Sequence, residues 1–449
     1  MLISGEEFSM KPGQIGVRRE DKNKWEKRVP IVPDDVRTLV RDHHLDVVIQ
    51  PALDHRIFPD DAYRSAGARI SESLDGCNAV FGVKEIPLDL FAPGVAYIFF
   101  SHVIKGQSYN MPMLRKMMQS GCSLIDYEKI EDDHHRRLIF FGRHAGLSGM
   151  VETLHSLGQR LLIEGVPNPF SGIRQPYLYQ SLDEIKAVIR EVGDRIRTDG
   201  LPPQLTPFIC GFTGYGNVSR GAQEIFDLLG GRELDPADVR GGLPKLDEAR
   251  HVCHKVVFHE RHLVEPVSQQ TVFELKDYYE HPEKYRSVFM EYVPNLNVLV
   301  NCIYWTTRYP RLITLDDFRG LFSGPKHPTL RVIGDISCDI DGSIEATVKA
   351  TSVDSPMFVY DPVSGRTTDG FEGPGIVIMS IENLPCEIAR EASIDFSRVL
   401  TPFVPGISRA DFDLPGEQMG LGREIRDAVI LKKGALTPPY QYINQFLNV

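Results

Sequence analysis

Two hydrophobic rhythms alternate along the chain: short continuous apolar runs, and longer segments in which apolar residues recur every third or fourth position. Over roughly the first 140 residues, "QIGVRRE", "LDVVIQP", "NAVFGVKE", "AYIFFSH" and "SLIDYEKI" predict strands. Between them "VPDDVRTLVRDHH", "DDAYRSAGA" and "NMPMLRKMMQSG" predict helices, the first opened by Pro-Asp-Asp. Strand and helix alternating at this spacing imply βαβ units and a mostly parallel sheet. "GLSGMVETLHSLGQRLLIEG" then predicts a long amphipathic helix connecting two domains, and "SLDEIKAVIREVGDRI" a helix with a serine N-cap. A second α/β unit begins at "LTPFICGFTGYGNVSRGAQEIFDLLG" and runs through "HKVVFHE", "NVLVNCIYW" and "LRVIGDISCD" to "GIVIMSIENLP". The final stretch of about 65 residues reads as mainly helical.

The second unit opens with a dinucleotide-type turn. An apolar run leads into Gly214 and Gly216, and Asn217 and Val218 start a helix pattern. Gly214 permits the tight turn, and Gly216 lets backbone approach a pyrophosphate at the helix N-terminus. The third glycine of the fingerprint is Ser219 here. An acid about 20 positions on should meet the ribose, which points to Asp235. Alone that favours NAD; Arg220, Arg232 and Arg240 leave room for a 2′-phosphate, so the choice between NAD and NADP stays open.

Sites in open parallel sheets form beyond the carboxyl ends of the strands. The first unit sends charge to several such ends: Arg18, Arg19 and Glu20, then Lys84 and Glu85, then His102, with Glu128 near another and Arg136 and Arg137 before "LIFFG". One charge at a strand end is ordinarily a surface ion pair, but several strands delivering charge to one edge indicate a site. Lys84 and His102 in one pocket would each disfavour the other's cationic form, which suits an acid/base pair near neutral pH. Arg18, Arg137 and Lys105 can bind carboxylates, and Glu128 an ammonium. Hydride transfer at a C–N centre of a substrate carrying several carboxylates fits such a pocket.

Composition narrows the classes. The 449 residues suit two or three domains, and 42% hydrophobic with 25% charged residues is ordinary globular chemistry. A net charge of -11 argues against a general nucleic-acid or anionic-membrane surface, and no apolar run is long enough to span a bilayer. Seven scattered cysteines favour reduced thiols. The N-terminal "MLISGEEFSMKPG" resembles neither a secretory signal nor an Arg-rich transit peptide. Cytosol is the default compartment, with the mitochondrial matrix as the alternative if a presequence has been removed. "HVCHKVVFHERHL" holds four histidines and a cysteine, but their spacing matches no standard ligand pair, and no metal is expected.

The motifs "VRREDKNKWEKRVP", "VFGVKEIP", "FFSHVIKGQ", "LIDYEKI", "FTGYGNVSRGAQEIF", "GDISCDIDGSIE" and "SIENLP" resemble lysine–ketoglutarate reductase, the NADP-dependent, lysine-forming saccharopine dehydrogenase that makes up the N-terminal half of α-aminoadipic semialdehyde synthase. The resemblance runs from about Gly13 to the end. It implies an α/β fold of two Rossmann-like domains with mostly parallel sheets separated by a cleft, as in alanine and saccharopine dehydrogenases. Residues 1–140 would form the substrate domain, completed by 385–449, with the dinucleotide domain, 141–384, inserted. The implied reaction condenses L-lysine with 2-oxoglutarate and reduces the imine to saccharopine with NADPH, NAD being the alternative cofactor. Lys84 and His102 then carry the acid/base roles, and Arg18, Lys105, Gln107, Glu128 and Arg137 contact substrate. Gly214, Gly216, Asn217, Val218, Asp235, Asp335 and Asn383 fall on cofactor positions, while Glu382 replaces a more usual aspartate. A homo-oligomer or a partner saccharopine dehydrogenase is left open. The alternatives are the NAD-linked relative, an alanine-dehydrogenase-like enzyme, and an inactive nucleotide-binding regulatory module.

Overall fold

The computed structural model describes residues 13–240, 249–324 and 328–447; most of the N-terminal stretch weighed above for targeting lies outside them. The chain divides into two compact units, Met1–Phe141 with Ala389–Val449, and Gly142–Ile388.

In the first unit the apolar runs become strands β1 (Gln14–Val17), β2 (Asp46–Ile49), β3 (Arg69–Ile70), β4 (Ala79–Phe81), β5 (Ala96–Phe99) and β6 (Ser123–Asp126). All pair in parallel, in the order β6-β5-β4-β1-β2-β3. The strands β1, β4, β5 and β6 are buried throughout, as a sheet covered on both faces requires. Helix α1 (Pro33–His43) starts on a proline, carries Asp34 and Asp35 in its first turn and Arg41 and His43 in its last, and so complements its own dipole. Helix α2 (Asp60–Ser65) follows, and α3 (Met111–Ser120) ends on Gly121 in the left-handed conformation.

The second unit begins with α4 (Gly142–Ile163). The sequence reading of α4 as an amphipathic connector fails: buried residues lie on every side of it, Glu152 and Arg160 included. Its glycines explain how neighbours come so close. A Cβ at Gly146 would lie 1.9 Å from the Val218 carbonyl oxygen, and one at Gly158 2.6 Å from that of Phe170. Helix α5 (Leu182–Asp199) has the expected cap, the Ser181 hydroxyl accepting from the Glu184 amide. Strand β7 (Phe208–Thr213) and helix α6 (Asn217–Asp227) flank the glycine turn. Then come β8 (Arg232–Glu233), β9 (Cys253–Phe258), the small antiparallel pair β10 (Val264–Pro266) and β11 (Tyr285–Ser287), β12 (Val298–Asn301), β13 (Val332–Asp335), β14 (Met357–Asp361), β15 (Arg366–Asp369) and β16 (Ile376–Met379). The large sheet has the order β15-β14-β16-β13-β12-β7-β9-β8, parallel except at β14 and β15.

The chain then returns to the first unit. Helix Ala389–Leu400 packs there, with the Ser393 and Ser397 hydroxyls accepting from the Val29 and Val32 amides. The closing segment is less helical than its sequence suggested: β17 (Val429–Lys432) pairs antiparallel with β6, and β18 (Ala435–Leu436) with β17. No helix among the described residues is long and apolar enough to cross a membrane.

One buried polar pair in the second unit sets a pH dependence. The carboxyls of Glu152 on α4 and Glu387, in the turn after β16, are buried close enough for each to influence the other, and Gln175 donates to Glu152 at 3.2 Å. Burial pushes Glu152 up to about 7, and burial together with the Glu152 charge raises Glu387 well above the usual range. Folded Glu152 therefore holds its proton more tightly than the unfolded chain does. Its contribution is complete below the unfolded value near 4.5 and is lost as pH rises through about 7. The shift corresponds to about 3 kcal/mol. Glu152→Gln should raise the melting temperature relative to wild type at pH ~8 and leave it nearly unchanged at pH ~5. An equal change at both pH values would show that Glu152 titrates alike in the folded and unfolded chain.

Candidate functional site

Two groups of residues stand at strand ends, one in each unit. In the first, β4 runs into Val83, Lys84 and Glu85, and β5 into Phe100, Ser101 and His102. Because β4 and β5 are paired neighbours, the two turns lie side by side. Glu85 joins them, its Oε1 lying 2.8 Å from His102 Nδ1 while Oε2 takes the Lys22 ammonium at 2.8 Å. Burial pushes Glu85 up, but the hydrogen bonds from His102 and Lys22 outweigh it and hold its carboxyl at about 2. A proton on Nδ1 facing this carboxylate leaves Nε2 of His102 for a reacting group. His102 takes a left-handed backbone (φ 52), uncommon for a residue other than glycine, and its ring stacks near Phe100.

Lys84 is largely buried, and burial, with the Arg28 charge adding to it, depresses its pKa. Its ammonium has no hydrogen bond or ion pair among the described residues. The turn that presents it is held by Glu20, whose carboxylate accepts from the Val83 and Lys84 amides at 2.7 and 3.0 Å. Burial pushes Glu20 up to about 7 despite the neighbouring Arg18 charge. Beside Lys84, Glu26 and Arg28 form a buried ion pair at 2.6 Å, and Arg28 lies over the Phe141 ring at 4.1 Å.

Arg18 follows β1 and is buried. One guanidinium nitrogen meets Asp21 at 2.6 Å, while Nε and Nη1 have no hydrogen-bond partner. Two donors buried without partners are costly unless a ligand supplies acceptors. Glu128 and Arg137, expected to contact opposite charges on substrate, are paired with each other at 2.9 Å. Lys105 is exposed, and Gln107 accepts from the Tyr109 hydroxyl at 3.0 Å. Neither touches the Lys84–Glu85–His102 array through a hydrogen bond or ion pair among the described residues. The ends of β5 and β6 are clasped by Asp126, which accepts from the Ser101 amide and hydroxyl and from the Glu128 amide. Burial pushes Asp126 up to about 6.

In the second unit Gly214 has φ +81, which only glycine adopts without strain. A Cβ at Gly216 would meet no atom within 4 Å, so the space above the turn is open. Asn217 and Val218 begin α6, whose first turn carries no acid. That open cradle of amides at a helix N-terminus fits a pyrophosphate. Asp335 ends β13 inside a closed network: Asn301, Thr347 and the Cys338 amide all donate to its carboxylate, and Thr213 donates to Asn301. Burial raises it to about 6. Asp335 thus ties the ends of β7, β12 and β13 together. Asn383 lies in the turn after β16, its carbonyl accepting from the Cys386 amide. Asp235 follows β8, where its carboxylate caps the Ala237 amide at 2.9 Å. The histidines of "HVCHKVVFHERHL" serve local structure: His262 Nδ1 accepts from the His259 amide, and His259 stacks on Tyr215.

Sequence reasoning placed Glu20 and Glu85 among the charges at these strand ends but gave neither a role, and it passed over Glu26 and Arg28. Their signal was the charge density of "RREDKNKWEKR" and "VKE", which reads as solvated surface until the sheet buries it.

This fold is that of the alanine dehydrogenases. Residues 16–148 match the family model "Alanine dehydrogenase/PNT, N-terminal domain". An L-alanine dehydrogenase structure superposes over 97% of this chain and 99% of its own, with a TM-score of 0.60 at 17% identity. Sequence likeness is more particular. The chain is 37% identical to the α-aminoadipic semialdehyde synthase of Arabidopsis thaliana over 98% of its own length and 42% of that protein's. It is 34% identical to the mitochondrial enzyme of Mus musculus over 96% of itself and 47% of the relative. A saccharopine dehydrogenase [NAD(+), L-lysine-forming] of Emericella nidulans is 26% identical, covering 88% of this chain and 92% of its own. By sequence the chain is thus similar to the α-aminoadipic semialdehyde synthases and, more distantly, to a lysine-forming saccharopine dehydrogenase, and it spans less than half the length of the semialdehyde synthases it matches.

Proposed function

We propose that this chain condenses the ε-amine of L-lysine with the ketone of 2-oxoglutarate and reduces the resulting imine to saccharopine. A reduced nicotinamide dinucleotide supplies the hydride when bound, and water leaves on imine formation. The observation that carries this reading is the Lys84–Glu85–His102 array at two adjoining strand ends. Carbinolamine formation, loss of water and protonation of the secondary amine each need a proton moved at one place. Burial shifts Lys84 toward its neutral amine, which suits it to accept a proton, and His102 Nε2, its ring oriented by Glu85, can give or take the second proton. Arg18, with two buried donors unused, receives a substrate carboxylate. Glu128 and Arg137 open their mutual pair to take an ammonium and a carboxylate, and Lys105 and Gln107 close the polar rim. In the second unit Gly214, Gly216, Asn217 and Val218 cradle the pyrophosphate. Asp335 supports the turn through its network, and Asn383 faces the cofactor.

The test is oxidation of NADH or NADPH in the presence of lysine and 2-oxoglutarate, with either substrate omitted as control. Turnover should require both and yield saccharopine. No turnover with either cofactor would refute the assignment. Turnover with pyruvate and ammonium instead would move the chain to alanine dehydrogenase chemistry.

A further inference from the structure

In the common dinucleotide fold, the strand that follows the glycine helix lies beside the glycine strand, and an acid at its end meets the adenosine ribose. The order here is different. The strand following α6 is β8, which sits at the sheet edge. The neighbour of β7 is β9, in parallel register from Phe208↔Cys253 to Thr213↔Phe258. The Gly214 amide donates to the Phe258 carbonyl at 3.0 Å, so the residues just past Phe258 flank the glycine turn. Those residues are His259 and Glu260.

Glu260 shares a cavity of about 460 Å³ with Gly214, Tyr215 and Gly216. Its Oε1 is held by the hydroxyls of Tyr279 at 2.6 Å and Tyr215 at 3.4 Å. Its Oε2 has no hydrogen bond or ion pair among the described residues. A carboxylate fixed through one oxygen, with the other free beside a pyrophosphate cradle, is set to accept from a ribose diol. It is equally set to repel a phosphate at the same place. No Lys, Arg or His is among the described residues lining this cavity. Arg261 is exposed and donates to His262 at 3.1 Å, Arg240 is paired with Glu291, His259 stacks on the Tyr215 ring, and Arg220 and Arg232 are not among the residues lining the cavity.

We propose that Glu260, and not Asp235, receives the adenosine ribose hydroxyls and makes this chain prefer NADH to NADPH. This rests on the nicotinamide-dependent reading above, and it reverses for this chain the NADPH preference that the family resemblance implied. The test is a calorimetric titration of the full chain with NADH and with NADPH, without substrates. Wild type should bind NADH at least about tenfold more tightly. Glu260→Gln, which retains a hydrogen-bonding group for Tyr279, should cut that ratio about tenfold by weakening NADH and sparing or tightening NADPH. Asp235→Asn should leave the ratio unchanged. Tighter NADPH binding by wild type, or a ratio that responds to Asp235→Asn and not to Glu260→Gln, would overturn the assignment of Glu260 while leaving the reductase reading intact. Binding of neither dinucleotide would overturn both.

Discussion

Replacing Lys84 by Met, or His102 by Gln, should lower turnover with lysine and 2-oxoglutarate by about 10²–10³-fold, the range expected when a positioned proton-transfer group is lost. Binding of the reduced dinucleotide should change by less than about twofold, because both residues stand in the first unit and the pyrophosphate cradle in the second. The two effects differ in kind. Met keeps the aliphatic bulk of Lys84 and removes only the titrating amine. Gln keeps a hydrogen bond to Glu85 and removes the group that can carry a proton onward. The pH profile of the remaining activity distinguishes them, since each variant should lose the limb its own group contributes. Near-wild-type rates in both would remove the acid/base assignment altogether.

Gly221→Ala should be among the most destabilising single-methyl changes in the second unit. A Cβ there would lie 2.1 Å from the Arg143 carbonyl oxygen, and the reciprocal Cβ at Gly146 lies 1.9 Å from the Val218 oxygen. Both obstacles are backbone, so no side chain can rotate out of the way. Helix α4 cannot move aside, being enclosed on all faces, and α6 cannot move without carrying the glycine turn with it. The overlap should cost about 3 kcal/mol, a fall in melting temperature on the order of 10 °C for a domain this size, and should weaken dinucleotide binding as well. Gly320 is the internal control. It lies in the helix Leu315–Phe322 with nothing within 4 Å of its Cβ position, so Gly320→Ala should stabilise by about 0.5–1 kcal/mol. Equal destabilisation by the two changes would mean that the helices are not in backbone contact.

Much of this structure can be read from local pattern. Buried strands announce themselves as apolar runs that stop abruptly at polar residues, which is why "FGVKE" and "FFSH" mark neighbouring strand ends. What escapes is whatever depends on distant neighbours. The spacing rule that selects Asp235 presumes that the next strand in the chain is the next in space, and β9 takes that place instead. Helix α4 carries apolar and small residues around its whole circumference, and a window read for one apolar face assigns it a solvent side it lacks. "VILKKGAL" is a strand and turn because β6 offers an edge for it, and "MFVYDPVSGRTTDG" becomes the hairpin of β14 and β15 against β16. The bond between Glu85 and His102 spans 17 positions, a distance over which no pattern carries information.

The return of the chain to its first unit has a consequence for synthesis. Strand β6 needs β17 along its outer edge, and the amides of Val29 and Val32 need the serines of the helix Ala389–Leu400. All of these partners emerge from the ribosome only after residues 142–388 have been made. At ordinary elongation rates that interval is on the order of 10–50 s. For that time the early segment carries an open sheet edge and unsatisfied amides, a state prone to pairing with other chains. The second unit, continuous in sequence, has all its strands at hand first. Folding during translation is therefore expected to close the inserted unit before the one that begins the chain, and the nascent first segment is where a chaperone would be needed.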